Sequence, residues 1–214
     1  DLAERRIIEA ADKMRSHGFP LVAFYGSRKT RNSIITKLLA KKENTAATIF
    51  DKLRFRIVTE SRDHVIPAAA WLTKNLFPFN YAIPGQSHNN LVRVSDLLDS
   101  PGLAERGLQL QGTGPIDDIR SEENPFSGAS YRMVNFIVDF PVRVDNLVKL
   151  RTGASLGRTV FAMVEFQILD RETARQNEEG ENSHELYKRR QRSIVEKRLK
   201  RGARWRRKEN DSKD

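Results

Sequence analysis

A twelve-residue apolar run in the last third of the chain constrains the possible fold most strongly. The segment TVFAMVEFQILD, residues 159–170, is rich in β-branched and aromatic side chains and predicts a buried strand. It also carries one carboxylate, Glu165, at a place where a core would prefer none. The run therefore predicts a strand whose charge needs an explanation of its own.

Three further runs have the length and composition of strands. LVAFYG at residues 21–26 is too short for a helix, and SYRMVNFIVDFP covers residues 130–141. LRFRIVTE at residues 53–60 alternates apolar side chains with Arg54 and Arg56, which predicts a strand with one cationic face. The chain therefore predicts four strands.

Helical spacing of apolar residues fills most of the intervals between these strands. Asp63 is predicted to cap one helix, which tolerates Pro67 only in its first turn. The order of elements predicts a mixed sheet flanked by helices, an α/β or α+β domain. The predicted helices cover residues 2–18, with Gly18 as the stop, 30–42, 64–77, and 171–201, with a break at Gly180.

Residues 78–128 contain five prolines and little sustained periodicity. We predict a long loop insertion here, with one short helix near residues 95–100. The domain prediction is one domain over residues 1–188 followed by a basic helix or tail over residues 189–214.

The formal net charge of +10 belongs to the C-terminal region. Residues 188–208 hold 12 of the 38 Lys and Arg residues and one of the 28 acidic residues, leaving 26 basic against 27 acidic residues elsewhere. Such a run is either a solvated helix or arm, or a surface for RNA or another polyanion. Trp205 inside this run could stack on a base.

Composition also excludes several classes of protein. The absence of cysteine excludes disulfides and thiolate chemistry. No HExxH spacing and no G-x-S-x-G elbow is present, which argues against a zinc site and a serine hydrolase. No apolar run is long enough to span a bilayer, and no secretory signal is visible. A cytoplasmic protein that does not enter the membrane is the default expectation.

Two acidic residues and one basic segment are candidates for phosphate chemistry. Asp51 and Glu165, at neighbouring strands, could hold Mg²⁺, or could cap a turn or pair with Arg54 or Arg56 across the sheet. The segment GSRKTRNS, residues 26–33, places cations before a helix start, which suits phosphate oxygens but equally an exposed basic turn.

Several of these segments, taken in order, resemble motifs of the RelA/SpoT synthetase domain, which makes the alarmone (p)ppGpp. VEFQI at Val164–Ile168 is similar to that family's Val-Glu-Ile-Gln-Ile strand. FDKLRFRIV is similar to its Asp-x-x-Gly-x-Arg strand entry, and KTRNSIITKL to its phosphate segment. SYRMVNF is similar to its guanine-side loop. The matching positions are Gln167; His184, Tyr187 and Lys188 after the glutamate strand; Asp51 and Arg56; Lys29, Ser33 and Lys37, with Arg28 beside them; and Tyr131 and Arg132.

The resemblance implies a nucleotidyltransferase-like synthetase fold and a magnesium-dependent pyrophosphokinase. ATP and GTP or GDP would be its substrates, with transfer to a ribose 3′-hydroxyl. Asp51 and Glu165 would hold Mg²⁺, and Glu165 would act on the acceptor hydroxyl. ATP phosphates would lie near Arg28, Lys29, Lys37 and Arg56, while Tyr131, Arg132 and His184 would serve the acceptor.

The chain departs from the family pattern at several positions: Leu169 and Asp170 replace the family's Arg-Thr, Ser27 replaces the first Arg of the phosphate segment, and two more changes affect the strand entry and the guanine-side loop. Arg54 stands where the family has glycine, and Asn135 where it has the loop histidine. Two alternatives therefore accompany the leading one: a pyrophosphokinase acting on the 3′ end of tRNA through the basic tail, and an inactive relative that binds nucleotide or RNA. Oligomeric state is not predicted.

Overall fold

A computed structural model describes residues 2–40, 52–92, 130–144, 158–179 and 184–211, and the side chains of these residues except His184 and those after Arg201. Five helices and five strands lie in these ranges. The helices are α1 (Leu2–Ser16), α2 (Arg31–Ala40), α3 (Val65–Asn75), α4 (Arg171–Glu178) and α5 (His184–Asp211). The strands are β1 (Leu21–Arg28), β2 (Leu53–Thr59), β3 (His88–Asn89), β4 (Val134–Arg143) and β5 (Thr159–Asp170).

The strands form one mixed sheet in the order β1-β2-β5-β4-β3. Only β2 and β5 run parallel, and every other neighbouring pair is antiparallel. The four predicted strands are confirmed, as is the predicted mixed sheet with flanking helices. β3, a two-residue strand at the sheet edge, lies inside the segment predicted to be a loop.

The chain divides into two compact units. The first comprises Asp1–Arg28, Phe50–Glu122 and Arg132–Arg175 and contains the sheet, α1 and α3. The second comprises Lys29–Ile49, Glu123–Tyr131 and Gln176–Asp214. In the second unit α2 packs against α5, and Arg198 donates a hydrogen bond to the carbonyl oxygen of Leu39.

One face of the sheet is apolar and carries the core of the first unit. Phe55 stacks on Phe24 and Phe166, with ring centroids 5.4 and 6.0 Å apart, and Phe77 stacks on Phe166 at 5.0 Å. Helices α1 and α3 pack their buried residues, Ile7 among them, into the same cluster. Burial of each large side chain stabilises the fold by about 1.5–3 kcal/mol, so this face holds the sheet together.

Local signals explain where most elements begin and end. Gly18 follows α1, as predicted, and its φ of 75° lies in the left-handed region that glycine tolerates. Thr30 caps α2: the amide of Ser33 donates to its hydroxyl oxygen at 3.3 Å. Asp170 caps α4, because its carboxylate accepts from the amide of Thr173 at 3.0 Å and from the hydroxyl at 2.5 Å.

The prediction that Asp63 caps α3 is wrong. A single 3₁₀ turn over Arg62–His64 precedes the helix, and no side chain caps its start. Ser61 Oγ lies 2.9 Å from His64 Nδ1, so these polar atoms satisfy each other instead of the helix. Pro67 does lie in the first turn of α3, as predicted.

Three predicted features fall outside the described residues: the short helix near residues 95–100, the break at Gly180 and Asp51. α4 ends at Glu178 and α5 begins at His184, on either side of Gly180. Within the parts of the chain that the structure describes, no helix combines the length and apolar character of a membrane span.

The approach of β1 to β2 yields a first prediction. A Cβ added at Gly26 would lie 2.9 Å from Cε1 of Phe55, whose ring is completely buried and can shift only against its packed neighbours. We expect Gly26→Ala to lower the free energy of unfolding by about 1–3 kcal/mol, the usual cost of overpacking. Urea denaturation measures the change. Ser27→Ala, at the next and exposed position, is the control. Equal stability of both variants would contradict the close packing.

Candidate active site

The second face of the sheet carries a polar row that crosses all five strands. Cα register aligns one residue from each strand, in the order of the sheet: Tyr25, Arg56, Gln167, Asn135 and His88. Side chains that are directly opposite one another in a sheet share a face. These residues are spread over more than 140 positions of the sequence, so only the folding of the sheet brings them into one row.

Glu165 lies on β5 two residues before Gln167, and therefore on the same polar face of the sheet. Its Cα is the partner of Arg54 across the parallel pair, and Arg54 Nε donates to Glu165 Oε2 at 2.7 Å. Gln167 Nε2 donates to Glu165 Oε1 at 2.9 Å. Both carboxylate oxygens therefore accept hydrogen bonds from the protein.

Burial makes the cation beside Glu165 a requirement of the fold. The Glu165 side chain is only 7% exposed, and that of Arg54 28%. A carboxylate removed from water this far is costly unless it is paired and hydrogen-bonded. The pairing with Arg54, one of the alternatives open from the sequence, is the arrangement the structure shows for Glu165.

Arg56 extends the same network. Its Nε and Nη2 both donate to Gln167 Oε1 at 3.3 Å, while the amide nitrogen of Gln167 donates to Glu165. Gln167 thus has its oxygen toward one arginine and its nitrogen toward the carboxylate. This order fixes the amide orientation and holds Glu165 in one position.

Asn135 and His88 complete the row on β4 and β3. Asn135 Nδ2 lies 3.4 Å from His88 Nδ1, and the buried Asn135 Oδ1 has no hydrogen-bond partner among the described residues. Burial lowers the pKa of His88 below its ordinary value of 6.5, and the negative charge of Glu165 partly opposes this shift. The neutral ring can accept a hydrogen bond from the Asn135 amide.

The predicted site residues divide between the two units. Arg56, Glu165 and Gln167 meet in the first unit, and Arg132 precedes β4 there. Arg28, also in the first unit, donates from Nη2 to Glu4 Oε2 of α1 at 2.6 Å. The Arg28 side chain is 52% exposed and that of Glu4 33%, so solvent screens this ion pair and it contributes little stability.

The other predicted residues belong to the second unit. Lys29 precedes α2, and Ser33 and Lys37 lie on it. The Ser33 hydroxyl accepts from the Thr30 hydroxyl at 3.0 Å, which ties it to the helix cap. Tyr131 precedes the first unit's β4, and Lys188 lies on α5. Tyr187, also on α5, accepts from Gln191 Nε2 at 3.0 Å. His184 begins α5, but its side chain lies outside the described residues.

Magnesium was predicted between Asp51 and Glu165. Carboxylate oxygen is the donor that Mg²⁺ prefers, so Glu165 has the right chemistry. Across the described ranges, no three His, Asp or Glu side chains cluster as a metal site, and Asp51 is outside those ranges. Each oxygen of Glu165 already accepts one hydrogen bond, so a cation that binds this carboxylate shares it with a protein donor or displaces that donor.

Sequence reasoning assigned no role in the site to His88 or Asn135, and it left the partner of Glu165 open. It gave His88 no grouping, because its partner Asn135 lies 47 positions away. It offered Arg54 as one of several partners for either carboxylate, since register between β2 and β5 is not a local signal. The alternation of arginines in LRFRIVTE was the one available hint.

The pKa of His88 yields a second prediction. The unfolded chain takes up a proton at His88 near the ordinary pKa, while the folded protein resists it to lower pH. The stability of the wild type should therefore fall, relative to His88→Asn, as the pH drops below about 6.5 and until the folded pKa is passed. Asn keeps an acceptor for Asn135 and does not titrate. Urea unfolding from about pH 8 to pH 5 measures the difference, and parallel curves would contradict the burial of His88.

Comparison with known proteins identifies the fold. No protein-family model matches the sequence, and no curated protein matches it. Among solved structures, small alarmone synthetase 1 from Bacillus subtilis, bound to its product pppGpp, is similar with a TM-score of 0.52 and 15% identity. The alignment covers 98% of this chain and 92% of that one. A GTP pyrophosphokinase family protein from Streptococcus pneumoniae aligns over 96% and 85% of the two chains, at 14% identity and a TM-score of 0.46.

The similarity to the pppGpp-bound synthetase extends over nearly the whole chain and includes the sheet that carries Glu165. It confirms the predicted fold class, a mixed sheet flanked by helices. The chain has the fold of a small alarmone synthetase.

Proposed function

We propose that the protein is a pyrophosphokinase that transfers the β,γ-pyrophosphoryl group of ATP to the 3′-hydroxyl of a guanosine or other purine nucleotide. One observation carries the proposal: Glu165 is held rigidly on the polar face of the sheet, between Arg54 and Gln167 and near Arg56. The matching fold binds its product pppGpp in the Bacillus subtilis protein, which supports a nucleotide with a 3′-pyrophosphate as the product here.

The reaction forms one bond and breaks one. The acceptor 3′-oxygen bonds to the β-phosphorus of ATP, the bond from that phosphorus to the α,β-bridging oxygen breaks, and AMP leaves. Glu165 orients the hydroxyl and takes its proton as the oxygen attacks. A carboxylate fixed by hydrogen bonds on a strand suits this role, because positioning supplies much of the catalysis in phosphoryl transfer.

Cations oppose the negative charge that spreads over the transferred group. The proposal gives this role to Arg56 on the sheet and to Arg28, Lys29 and Lys37, with Ser33 as a hydrogen-bond donor. Asp51 and Glu165 would hold Mg²⁺, which supplies further positive charge to the site when it is bound. Gln167 keeps the Glu165 side chain in place.

The acceptor nucleotide involves a different set of residues. Tyr131 stacks on its base, and Arg132 binds its phosphates. The first turns of α5 contribute His184, Tyr187 and Lys188 to the acceptor side. These assignments follow the sequence resemblance and are open to test one residue at a time.

A second acceptor class has support of its own. Along the first two thirds of α5 the cationic side chains at positions 188, 189, 192, 197, 200 and 201 are exposed to solvent. An exposed series of cations on one helix attracts a polyanion. RNA with a free 3′ end, such as tRNA, is therefore the alternative acceptor.

The third prediction tests the reaction and the acceptor together. Glu165→Gln keeps an oxygen for Arg54 but cannot take a proton, so transfer should fall by at least about 100-fold while the fold persists. The assay incubates wild type and variant with labelled ATP, Mg²⁺ and either GDP, GTP or tRNA, and follows the label into the acceptor. Glu172→Gln, the same change at an exposed carboxylate, is the control.

Label in GDP or GTP supports the leading proposal, and label in tRNA supports the alternative. Binding of ATP without transfer to any acceptor would indicate an inactive relative. Full activity of Glu165→Gln would remove the catalytic role of this residue.

The fourth prediction concerns Tyr131. Loss of a stacking platform costs about 1–3 kcal/mol per base. Tyr131→Ala should therefore raise the KM for the purine acceptor about tenfold and leave the KM for ATP nearly unchanged. Tyr131→Phe, which keeps the ring, should match the wild type. Equal increases for both substrates would place Tyr131 away from the acceptor base.

A further inference from the structure

We infer that Arg54 competes with a divalent cation for the carboxylate of Glu165 and thereby sets the affinity of this site for the cation. The inference deepens the proposed function and rests on it, because that function places the cation at Glu165. Arg54 would act through Glu165, as a positioning residue.

The first argument is geometric. Arg54 and Glu165 are Cα partners on adjacent parallel strands, so their side chains leave the same face of the sheet side by side. Nε of Arg54 donates to Oε2 at 2.7 Å, the length of a charge-assisted hydrogen bond. This oxygen is one of the two that a cation could bind, and the guanidinium lies against it.

The second argument concerns the other oxygen. Oε1 of Glu165 accepts from Gln167 Nε2 at 2.9 Å, and the Gln167 oxygen is held by Arg56. Gln167 is neutral, so its departure would not change the charge of the site. Displacement of Arg54 removes one positive charge, and a divalent cation more than restores it.

The third argument is energetic. A carboxylate that is 7% exposed needs a compensating charge in any state of the protein. Arg54, whose guanidinium stays protonated, provides that charge, so the negative charge of Glu165 is already compensated in the cation-free protein. A cation must then compete with an existing ion pair for this carboxylate, which weakens its apparent affinity.

Arg54 also has a route out of the pair. Its side chain is 28% exposed, four times the fraction of Glu165, so its head group can turn toward solvent while Glu165 stays in place. Exchange therefore involves the Arg54 side chain and leaves the register of the two strands unchanged. In the exchanged state Arg54 remains near the site as a second cation for phosphate oxygens.

The fifth prediction uses Mn²⁺ as the probe in place of Mg²⁺, without nucleotide. Isothermal titration calorimetry compares the full chain with Arg54→Gln, Arg54→Lys, Glu165→Gln and the double variant of Arg54→Gln with Glu165→Gln. We expect Arg54→Gln to bind Mn²⁺ about tenfold more tightly than the wild type, because the neutral amide no longer competes. Arg54→Lys keeps the charge but loses the planar fork, so its affinity should be intermediate.

The double variant is the decisive control. Tighter Mn²⁺ binding should disappear when Glu165 is also replaced, since competition acts through that carboxylate. Unchanged affinity in a folded Arg54→Gln variant, or a gain that persists in the double variant, would overturn the inference. If circular dichroism shows Arg54→Gln to be unfolded, Arg54→Lys decides: affinity equal to the wild type then overturns it.

The calorimetry tests the role of Arg54 independently of the proposed reaction, because it measures cation binding and does not require turnover. A gain in Mn²⁺ affinity without pyrophosphate transfer would support the role of Arg54 and contradict the enzyme proposal. Pyrophosphate transfer by the wild type, together with unchanged Mn²⁺ affinity in Arg54→Gln, would support the enzyme proposal and contradict the role of Arg54.

Discussion

The parallel pairing of β2 with β5 is the constraint on which the site depends. It joins segments more than 100 positions apart and sets Arg54 opposite Glu165 and Arg56 opposite Gln167. A shift of one residue would turn every side chain of a strand to the other face, placing the arginines in the aromatic core and Phe55 among the polar groups. The same register therefore specifies the core and the charge network, and neither forms without the other.

The two faces of the sheet impose opposite demands on the same backbone. The apolar face excludes water around Phe55 and Phe166, while the polar face buries a carboxylate that needs a cation. Such an ion pair contributes little net stability compared with apolar residues of the same size. Its retention here is better explained by what Glu165 can do in chemistry than by what it adds to folding.

Sequence alone predicted the strands and the principal helices, because apolar periodicity is a local signal that survives without knowledge of partners. It failed where geometry depends on distant or very short segments. β3 has only two residues and no periodicity, so His88 had no visible partner. The start of α3 was misassigned because Asp63 has the composition of a cap, but the chain enters that helix through a 3₁₀ turn.

The sequence predicted which residues belong to the candidate site, but it did not predict which of their side chains contact each other. Glu165 stood out because a charge is unexpected in an apolar run. Its actual partner could not be chosen between Arg54 and Arg56, because both lie on the same face of β2. Only the register of β2 with β5 decides which arginine is opposite Glu165. Roles that rest on the resemblance, such as those of Tyr131 and Lys188, depend on experiments for confirmation.

The burial of β5 has one consequence for how the site can respond to a ligand. Every residue from Val164 to Asp170 is buried, and Asp170 is fastened to the start of α4. The backbone that carries Glu165 is therefore held in place. When a ligand binds, the site can adjust only by rotation about the side-chain bonds of the long residues beside Glu165. Rearrangement by bond rotation is intrinsically faster than loop or domain closure. In this part of the molecule, the response to a ligand would consist of rotamer changes in the side chains around Glu165.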